Sequence, residues 1–308
     1  MKVLYWLESI RAPWLDAVML AISQLGGEIL FMAIVIALFW CMDKRKGYYL
    51  MTVGFFGIVA NQFLKLVFRV SRPWIRDPEF TIVERARAGA TGYSFPSGHT
   101  QNAAAVLGCP ARMARKKGLK ITLWVLYALV GISRMYLGVH TPYDVGVGVV
   151  MGLVLVFGLY PFFSEKNYKP QRMYVLLGVM LALSIAFTTY TRLYPFPADI
   201  EMDNLSHGIK NGYTLTGAVA GMLAAFWLDE HYVHFQTAGS LPAHIVKCVV
   251  GLGLLLGIKT VLKPPMNALF GGDPIADAFR YAIVVFFAAG VWPMTFPWIN
   301  RLLPGKKA

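Results

Sequence analysis

The apolar positions of this 308-residue chain fall in long runs separated by short polar connections. A bilayer-spanning helix needs roughly 20 apolar residues. Runs near that length lie at 28–42, 47–70, 97–115, 119–138, 142–163, 172–190, 209–228, 243–262 and 275–300. The pattern predicts an all-α fold, a polytopic transmembrane helical bundle of about nine spans. The first run is short, Pro110 marks a kink in the third, and Pro293 and Pro297 interrupt the last. Ahead of them, residues 14–25 set Leu15, Val18, Met19 and Ile22 on one helical face, which predicts an N-terminal amphipathic interfacial helix. Glu8, Arg11 and Asp16 break up the apolar core that a cleaved leader needs. Residues 71–96 are polar and rich in Arg, Pro and Gly, and read as a loop.

Composition agrees: 57% of residues are hydrophobic and 15% charged, against about 25% charged in soluble domains. The net charge of +13 would suit a nucleic-acid partner in a soluble protein. Here most basic residues sit in short connections, and the chain calls for no nucleic acid. Lys44, Arg45 and Lys46 follow the first run. Arg112, Arg115, Lys116, Lys117 and Lys120 follow the third, Lys166, Lys169 and Arg172 the fifth, and Lys306 and Lys307 the last. Counting spans puts all four groups on one face, which short basic loops mark as cytoplasmic. The loop 191–208, with Asp199, Glu201 and Asp203, falls on the other face, and Asn204-Leu205-Ser206 is a formal glycosylation sequon within it. The connection 229–242 counts as cytoplasmic although it begins with Asp229 and Glu230. Cys41, Cys109 and Cys248 lie in apolar runs without a C-x-x-C, so neither a disulfide framework nor a zinc site is implied.

Three clusters remain outside the topology argument. Lys65, Arg69 and Arg72 end the second run at spacings of four and three residues. That predicts three cations on one helical face, which calls for a counter-anion more than for snorkelling. The second cluster is Ser94-Phe95-Pro96-Ser97-Gly98-His99-Thr100. Ser97 reads as an N-cap, so the N–H groups of Gly98 and His99 open a helix that can cradle phosphate. The third is Ser133-Arg134, then His140-Thr141-Pro142-Tyr143-Asp144. Thr141 reads as a cap with Pro142 at the first helical position. Asp144, in the first turn, is placed to hydrogen-bond one imidazole nitrogen of His140 and leave the other free to attack. Span counting puts all three clusters at the outer face, where they predict one phosphate-binding pocket equipped for covalent phosphoryl transfer.

The order Lys65…Arg72-Pro73, Pro96-Ser97-Gly98-His99, Ser133-Arg134…His140…Asp144 resembles the three-part signature of the type 2 phosphatidic acid phosphatase superfamily. Six residues separate Lys65 from Arg72, five separate Arg134 from His140, and three separate His140 from Asp144. The resemblance covers about residues 10–163. It implies a metal-independent membrane phosphatase with no cofactor. His140 would be the nucleophile that forms a phosphohistidine, Asp144 its orienter, and His99 the acid and then the base. Lys65, Arg72, Ser97, Gly98 and Arg134 would bind phosphate. The implied division is 1–27 interfacial segment, 28–163 catalytic core and 164–308 C-terminal transmembrane extension. The extension carries Arg192, His207, Lys210, Lys259, Lys263, Asp273, Asp277 and Arg280 near the outer face, read as interfacial anchors and ion pairs or as headgroup contacts.

The expected partners are membrane lipids and a lipid phosphate or pyrophosphate substrate: undecaprenyl pyrophosphate, phosphatidylglycerol phosphate, phosphatidic acid or a sphingoid-base phosphate. Alternatives are a lipid phosphotransferase, a glucose-6-phosphatase-like enzyme with a soluble substrate, and a non-catalytic lipid transporter. The expected location is the cytoplasmic membrane of a bacterium, or a eukaryotic endomembrane, with the site facing away from the cytoplasm.

Overall fold

The computed structural model describes residues 1–198 and 200–304, and its regular elements are all helices. Asp199 in the 191–208 loop and the basic pair Lys306 and Lys307 lie outside the described residues. The chain divides into two compact units. One comprises Met1–Val35, Tyr48–Ser164 and Glu201–Asn204; the other holds Ile36–Gly47 and the rest of the C-terminal half.

The first unit opens with α1 (Lys2–Ser9) and α2 (Pro13–Gln24), followed by α3 (Glu28–Cys41). Leu15, Met19 and Leu20 of α2 pack against Tyr136, Leu137 and Val139. Val18, expected on the apolar face, is exposed. The inward stripe is instead completed by polar groups: Asp16 accepts a hydrogen bond from the Tyr136 hydroxyl (2.7 Å), and Ser23 is buried. Arg11, between the two helices, donates from Nε to the Tyr136 carbonyl (3.0 Å) and from Nη1 to the Thr81 carbonyl (2.9 Å). A cation at the last carbonyls of a helix is favourable on dipole grounds, so Arg11 latches the N-terminal segment to the helix end that leads to His140.

The helix α4 runs over Lys44–Phe68 and is followed by the short α5 (Pro73–Arg76), a 3₁₀ turn at Glu84–Gly89 and α6 (Gly98–Ala103). A π-turn at Ala104–Gly108 joins α6 to α7 (Cys109–Met113). The irregularity expected at Pro110 thus sits in the preceding turn, where wider hydrogen bonding absorbs the missing proline N–H. Then come α8 (Lys117–Tyr136) and α9 (Pro142–Phe163). Ala103, Ala104 and Ala105 are wholly buried, which lets α6 and its continuation lie close to α8 and α9. The Tyr49 hydroxyl of α4 donates to the Val156 carbonyl of α9 (2.5 Å), and Trp124 of α8 stacks on Phe157 with centroids 5.8 Å apart.

The second unit contains α10 (Pro170–Leu193), α11 (Met202–Leu228), α12 (Leu241–Val261), α13 (Lys263–Leu269), α14 (Ile275–Phe286) and α15 (Phe296–Leu302). The first three residues of α11 belong to the first unit. Trp40 and Trp292 lie with centroids 6.4 Å apart, and their indole N–H groups donate to the carbonyls of Ala288 and Lys247. Lys44 pairs with the buried Asp229 at 2.5 Å, so the acidic start of the 229–242 connection meets a basic one. Arg192 pairs with Asp273 (2.6 Å), and Asp277 with Arg280. The free thiols Cys41 and Cys248 have sulfur atoms 3.6 Å apart.

Among the described residues, six helices are long and apolar enough to cross a membrane: Lys44–Arg76, Lys117–Tyr136, Pro142–Phe163, Pro170–Leu193, Leu241–Leu269 and Ile275–Leu302. A seventh appears if α2 and α3, bent by 43°, count as one span. The other runs fall short for separate reasons. By itself α3 has 14 residues, about 21 Å of helix. Residues 98–113 are divided among three short pieces. The 27 residues of α11 include Asp203, Asn204, His207 and Lys210 in its first turns. The sequon residue Asn204 is therefore helical rather than in a loop, and donates to Glu201 at 2.6 Å.

Two glycines set the geometry around the site. Gly138, at φ +81°, turns the chain after α8 toward His140. Gly26 lets the α2–α3 turn touch the backbone of α6, since a Cβ there would lie 2.3 Å from the His99 carbonyl oxygen. Gly26→Ala is expected to destabilise the protein by about 1–3 kcal/mol and to reduce activity. Gly146→Ala, whose Cβ meets nothing within 4 Å, is expected to leave the melting temperature unchanged or slightly raised. Thermal unfolding of both variants in one detergent checks this.

Candidate active site

The residues singled out in the sequence are delivered by five helix ends. Lys65 lies in the last turn of α4. The helix then stops: Arg69 adopts a left-handed conformation at φ +48°, and Arg72 starts again as the N-cap of α5. The three cations expected on one helical face are therefore not on one helix. Lys65 and Arg72 still reach the wall of one cavity, and the break at Arg69 leaves both within the span Lys44–Arg76.

Both cations are buried and held by backbone carbonyls from the segment after α5. The Lys65 ammonium donates to the Tyr93 carbonyl. Arg72 donates from Nε to Gly92 O (2.9 Å), from Nη2 to Thr91 O (2.7 Å) and from Nη1 to Val139 O (2.9 Å). Its Nη1 also lies 3.0 Å from His140 Nε2. A guanidinium has no acceptor, so Nε2 accepts and the imidazole proton is on Nδ1.

Thr141 caps α9, and Asp144 completes a capping box with it. One oxygen of Asp144, Oδ2, accepts from Thr141 N (2.7 Å) and from the Ser94 hydroxyl (2.6 Å). The same oxygen lies 3.6 Å from His140 Nδ1. That is ion-pair range and longer than a hydrogen bond, so the Asp144–His140 bond expected from spacing is not closed in this structure. His140 is 2% exposed and Asp144 1%. Burial, then the positive charges of Arg72, Arg134 and Lys65, hold the His140 imidazole well below its ordinary value. Both causes favour the neutral imidazole.

Ser97 occupies the N-cap position of α6, but its side chain caps no backbone N–H; its hydroxyl accepts from Thr100 (2.9 Å). Ser97 is buried and its N–H donates to the Asp144 carbonyl (3.0 Å), tying the start of α6 to α9. Arg134, in the last turn of α8, donates from Nη1 to the Ser23 hydroxyl (2.7 Å). Its Nε and Nη2 are buried without a hydrogen-bond partner among the described residues.

A cavity of about 130 Å³ opens between these helix ends. Lys65, Arg72, Gly98, His99 and His140 are on its wall, and Ser97, Arg134 and Asp144 are not. Sequence reading missed Glu28, Asn61, Gln62, Gln101 and Asn102 on the same wall. It also missed Ser94 and Ser23, which hold Asp144 and Arg134. Ser94 adjoins the quoted Pro-Ser-Gly-His run, and Ser23 lies one turn beyond Met19 on the inward face of α2, so both had a weak local signal. The carbonyls of Thr91, Gly92 and Tyr93 had none. Among the described residues no group of three His, Cys, Asp or Glu side chains is placed to hold a metal ion. The wall's own cations are the groups fitted to an anion.

Comparison with known proteins bears on this arrangement. The PAP2 superfamily model matches residues 45–168, and a second model, described as PAP2 superfamily phosphatase, transmembrane extension, matches residues 213–302. Over 172 residues the chain is 34% identical to phosphatidylglycerophosphatase B of Bacillus subtilis (strain 168), spanning 51% of this chain and 79% of the relative. It is 28% identical over 152 residues to undecaprenyl-diphosphatase BcrC of the same organism, spanning 48% and 75%. It is 21% identical over 319 residues to sphingosine-1-phosphate phosphatase 2 of Mus musculus, spanning 91% and 86%. The matched families, the apolar helices and the cation-lined cavity agree: the chain belongs to the PAP2 superfamily and is an integral membrane phosphatase carrying that superfamily's transmembrane extension.

Proposed function

We propose that the protein hydrolyses a lipid phosphate or pyrophosphate by way of a phosphohistidine at His140. The observation that carries this reading is the wall of the cavity, where Lys65, Arg72, His99 and His140 meet from four separate segments. An anion held by Lys65 and Arg72 sits against a neutral imidazole whose lone pair is on Nε2. The guanidinium that hydrogen-bonds this lone pair exchanges it for phosphate oxygens when substrate binds. Arg134, behind the wall, adds a third positive charge that acts on the same anion and on His140.

His140 Nε2 attacks the terminal phosphorus, and its bond to the leaving oxygen breaks: the lipid ester oxygen of a monophosphate, the bridging oxygen of a pyrophosphate. His99, made cationic by the bound phosphate's charge, gives its proton to that oxygen, and the lipid alcohol or the lipid monophosphate leaves. His99 then takes a proton from water, the hydroxyl attacks phosphorus, the N–P bond breaks, and inorganic phosphate departs. Asp144, held by Ser94 and Thr141, stabilises the Nδ1–H of the cationic intermediate. The three buried cations and the first N–H groups of α6 stabilise the transferring phosphoryl group, so its charge is met without a metal ion.

The relatives support a lipid substrate, since their names refer to phosphatidylglycerophosphate, undecaprenyl diphosphate and sphingosine 1-phosphate. Topology supports an extracytoplasmic site. The basic connection at Lys116 and Lys117 precedes α8, and Arg134 lies at the other end of that 20-residue helix, about 30 Å away. Short basic connections face the cytoplasm.

Phosphate release from a panel of lipid phosphates in detergent with EDTA tests the reading. Wild type is expected to be active, and His140→Ala to lose about 10³-fold or more in kcat. Metal-dependent activity, or activity that survives the substitution, overturns the mechanism. A second prediction follows from the His140 environment. In the ligand-free enzyme at pH 6.5 its ¹⁵N-histidine NMR signals are those of a neutral Nδ1–H imidazole, because burial and three cations oppose its protonation. An imidazolium at that pH contradicts the proposed ground state.

A further inference from the structure

Lys65 and Arg72 are held by backbone carbonyls, whereas Arg134 is held by one side chain. Its Nη1 donates to the Ser23 hydroxyl at 2.7 Å, and its Nε and Nη2 have no hydrogen-bond partner among the described residues. Ser23 and Arg134 are both buried. Arg134 lies within the segment 45–168 that the PAP2 model matches, and Ser23, near the end of α2, lies before it. The end of α2 is seated on two helices of the site. The Ser23 carbonyl accepts from Gly26 N (3.0 Å), which closes the turn after α2. A Cβ at Gly26 would lie 3.1 Å from Val130 Cγ1, one turn before Arg134 on α8, and 2.3 Å from the His99 carbonyl oxygen of α6. The Gly26 carbonyl also accepts from Asn102 Nδ2 of α6 (3.0 Å). The Ser23 hydroxyl therefore meets Arg134 from a fixed place.

We infer that Ser23 is a positioning residue for catalysis: the N-terminal helix α2 supplies the acceptor that fixes where Arg134, the third cation of the phosphate site, stands. The inference rests on Arg134 acting on the bound phosphate, and adds a residue outside the matched segment on which that action depends. An arginine side chain with no partner spreads over several rotamers, and a hydrogen bond to its charged head removes that freedom. A hydroxyl does this without neutralising the guanidinium, so the positive charge is left for the anion. A carboxylate at the same place would hold Arg134 as well but cancel its charge. The Ser23 hydroxyl, being buried, also needs a partner for its own sake. That need bears on folding, and it is separable from catalysis because it does not depend on what Arg134 does to the substrate.

The test is a double-mutant cycle on the purified full-length enzyme in detergent, with a radiolabelled long-chain lipid phosphate so that slow variants can be measured. Ser23→Ala is expected to lower kcat/KM roughly tenfold in the wild-type background. In the Arg134→Ala background the same substitution is expected to leave kcat/KM within about twofold, because a residue that acts through Arg134 then has nothing to position. Ser23→Cys, close to serine in volume but a weak acceptor, enters the same cycle, so the outcome does not hang on whether the alanine variant folds. Equal losses in both backgrounds, which a purely structural role gives, overturn the inference, and so does wild-type kcat/KM in both Ser23 variants. Wild-type activity in Arg134→Ala overturns the role of Arg134, and failure of wild type to hydrolyse any lipid phosphate overturns the phosphatase reading itself, so these failures are distinct.

Discussion

Lys65, Arg72 and Arg134 are buried together, and much of the first unit is arranged around the cost of keeping them there. Two like charges 4 Å apart repel by about 1 kcal/mol in water and about 4 at an effective dielectric of 20. Asp144, which also accepts from Thr141 and Ser94, sets one negative charge against the three. The rest of the relief comes from oxygen atoms without full charge. Tyr93, Gly92, Thr91 and Val139 offer carbonyls, and Ser23 offers a hydroxyl. Carbonyls hold a cation without neutralising it, so the pocket keeps its affinity for an anion.

That requirement explains the long polar segment between α5 and α6. Helical carbonyls are already committed to their own hydrogen bonds; those of an irregular segment are available. Residues 91–93 pass over the ends of α4 and α5 and point three successive carbonyls at Lys65 and Arg72. The same segment brings Ser94 to Asp144. It is as much a part of the site as the histidines, although it contributes chiefly backbone.

Helix ends do the remaining work. Lys65 and Arg134 occupy the last turns of α4 and α8, where cations are favoured, and Asp144 the first turn of α9, where an anion is favoured. Residues suited to helix termini on dipole grounds are thus also the residues the cavity needs. In the C-terminal unit the ionisable residues found in pairs, Lys44 with Asp229, Arg192 with Asp273 and Asp277 with Arg280, meet full counter-charges.

The sequence by itself determined what depends on composition, spacing and local capping. Apolar length announced an all-helical membrane protein. The Thr141-Pro142 start of α9 follows from capping chemistry, and the residue types of the phosphate pocket are visible in three short motifs. Tertiary structure decided what depends on distant backbone. The positive φ at Arg69 replaced one continuous cationic face by two helix ends. Ser94 took the Asp144 oxygen that spacing had assigned to His140. The buried face of α2 includes Asp16 and Ser23 rather than Val18, because Tyr136 and Arg134 of another helix needed polar partners there. The Asn102 amide reaches the Gly26 carbonyl because Gly26, without a Cβ, lets two backbones come close. Periodicity records which face of a helix is apolar; it holds no record of which distant carbonyl or hydroxyl will satisfy a buried charge.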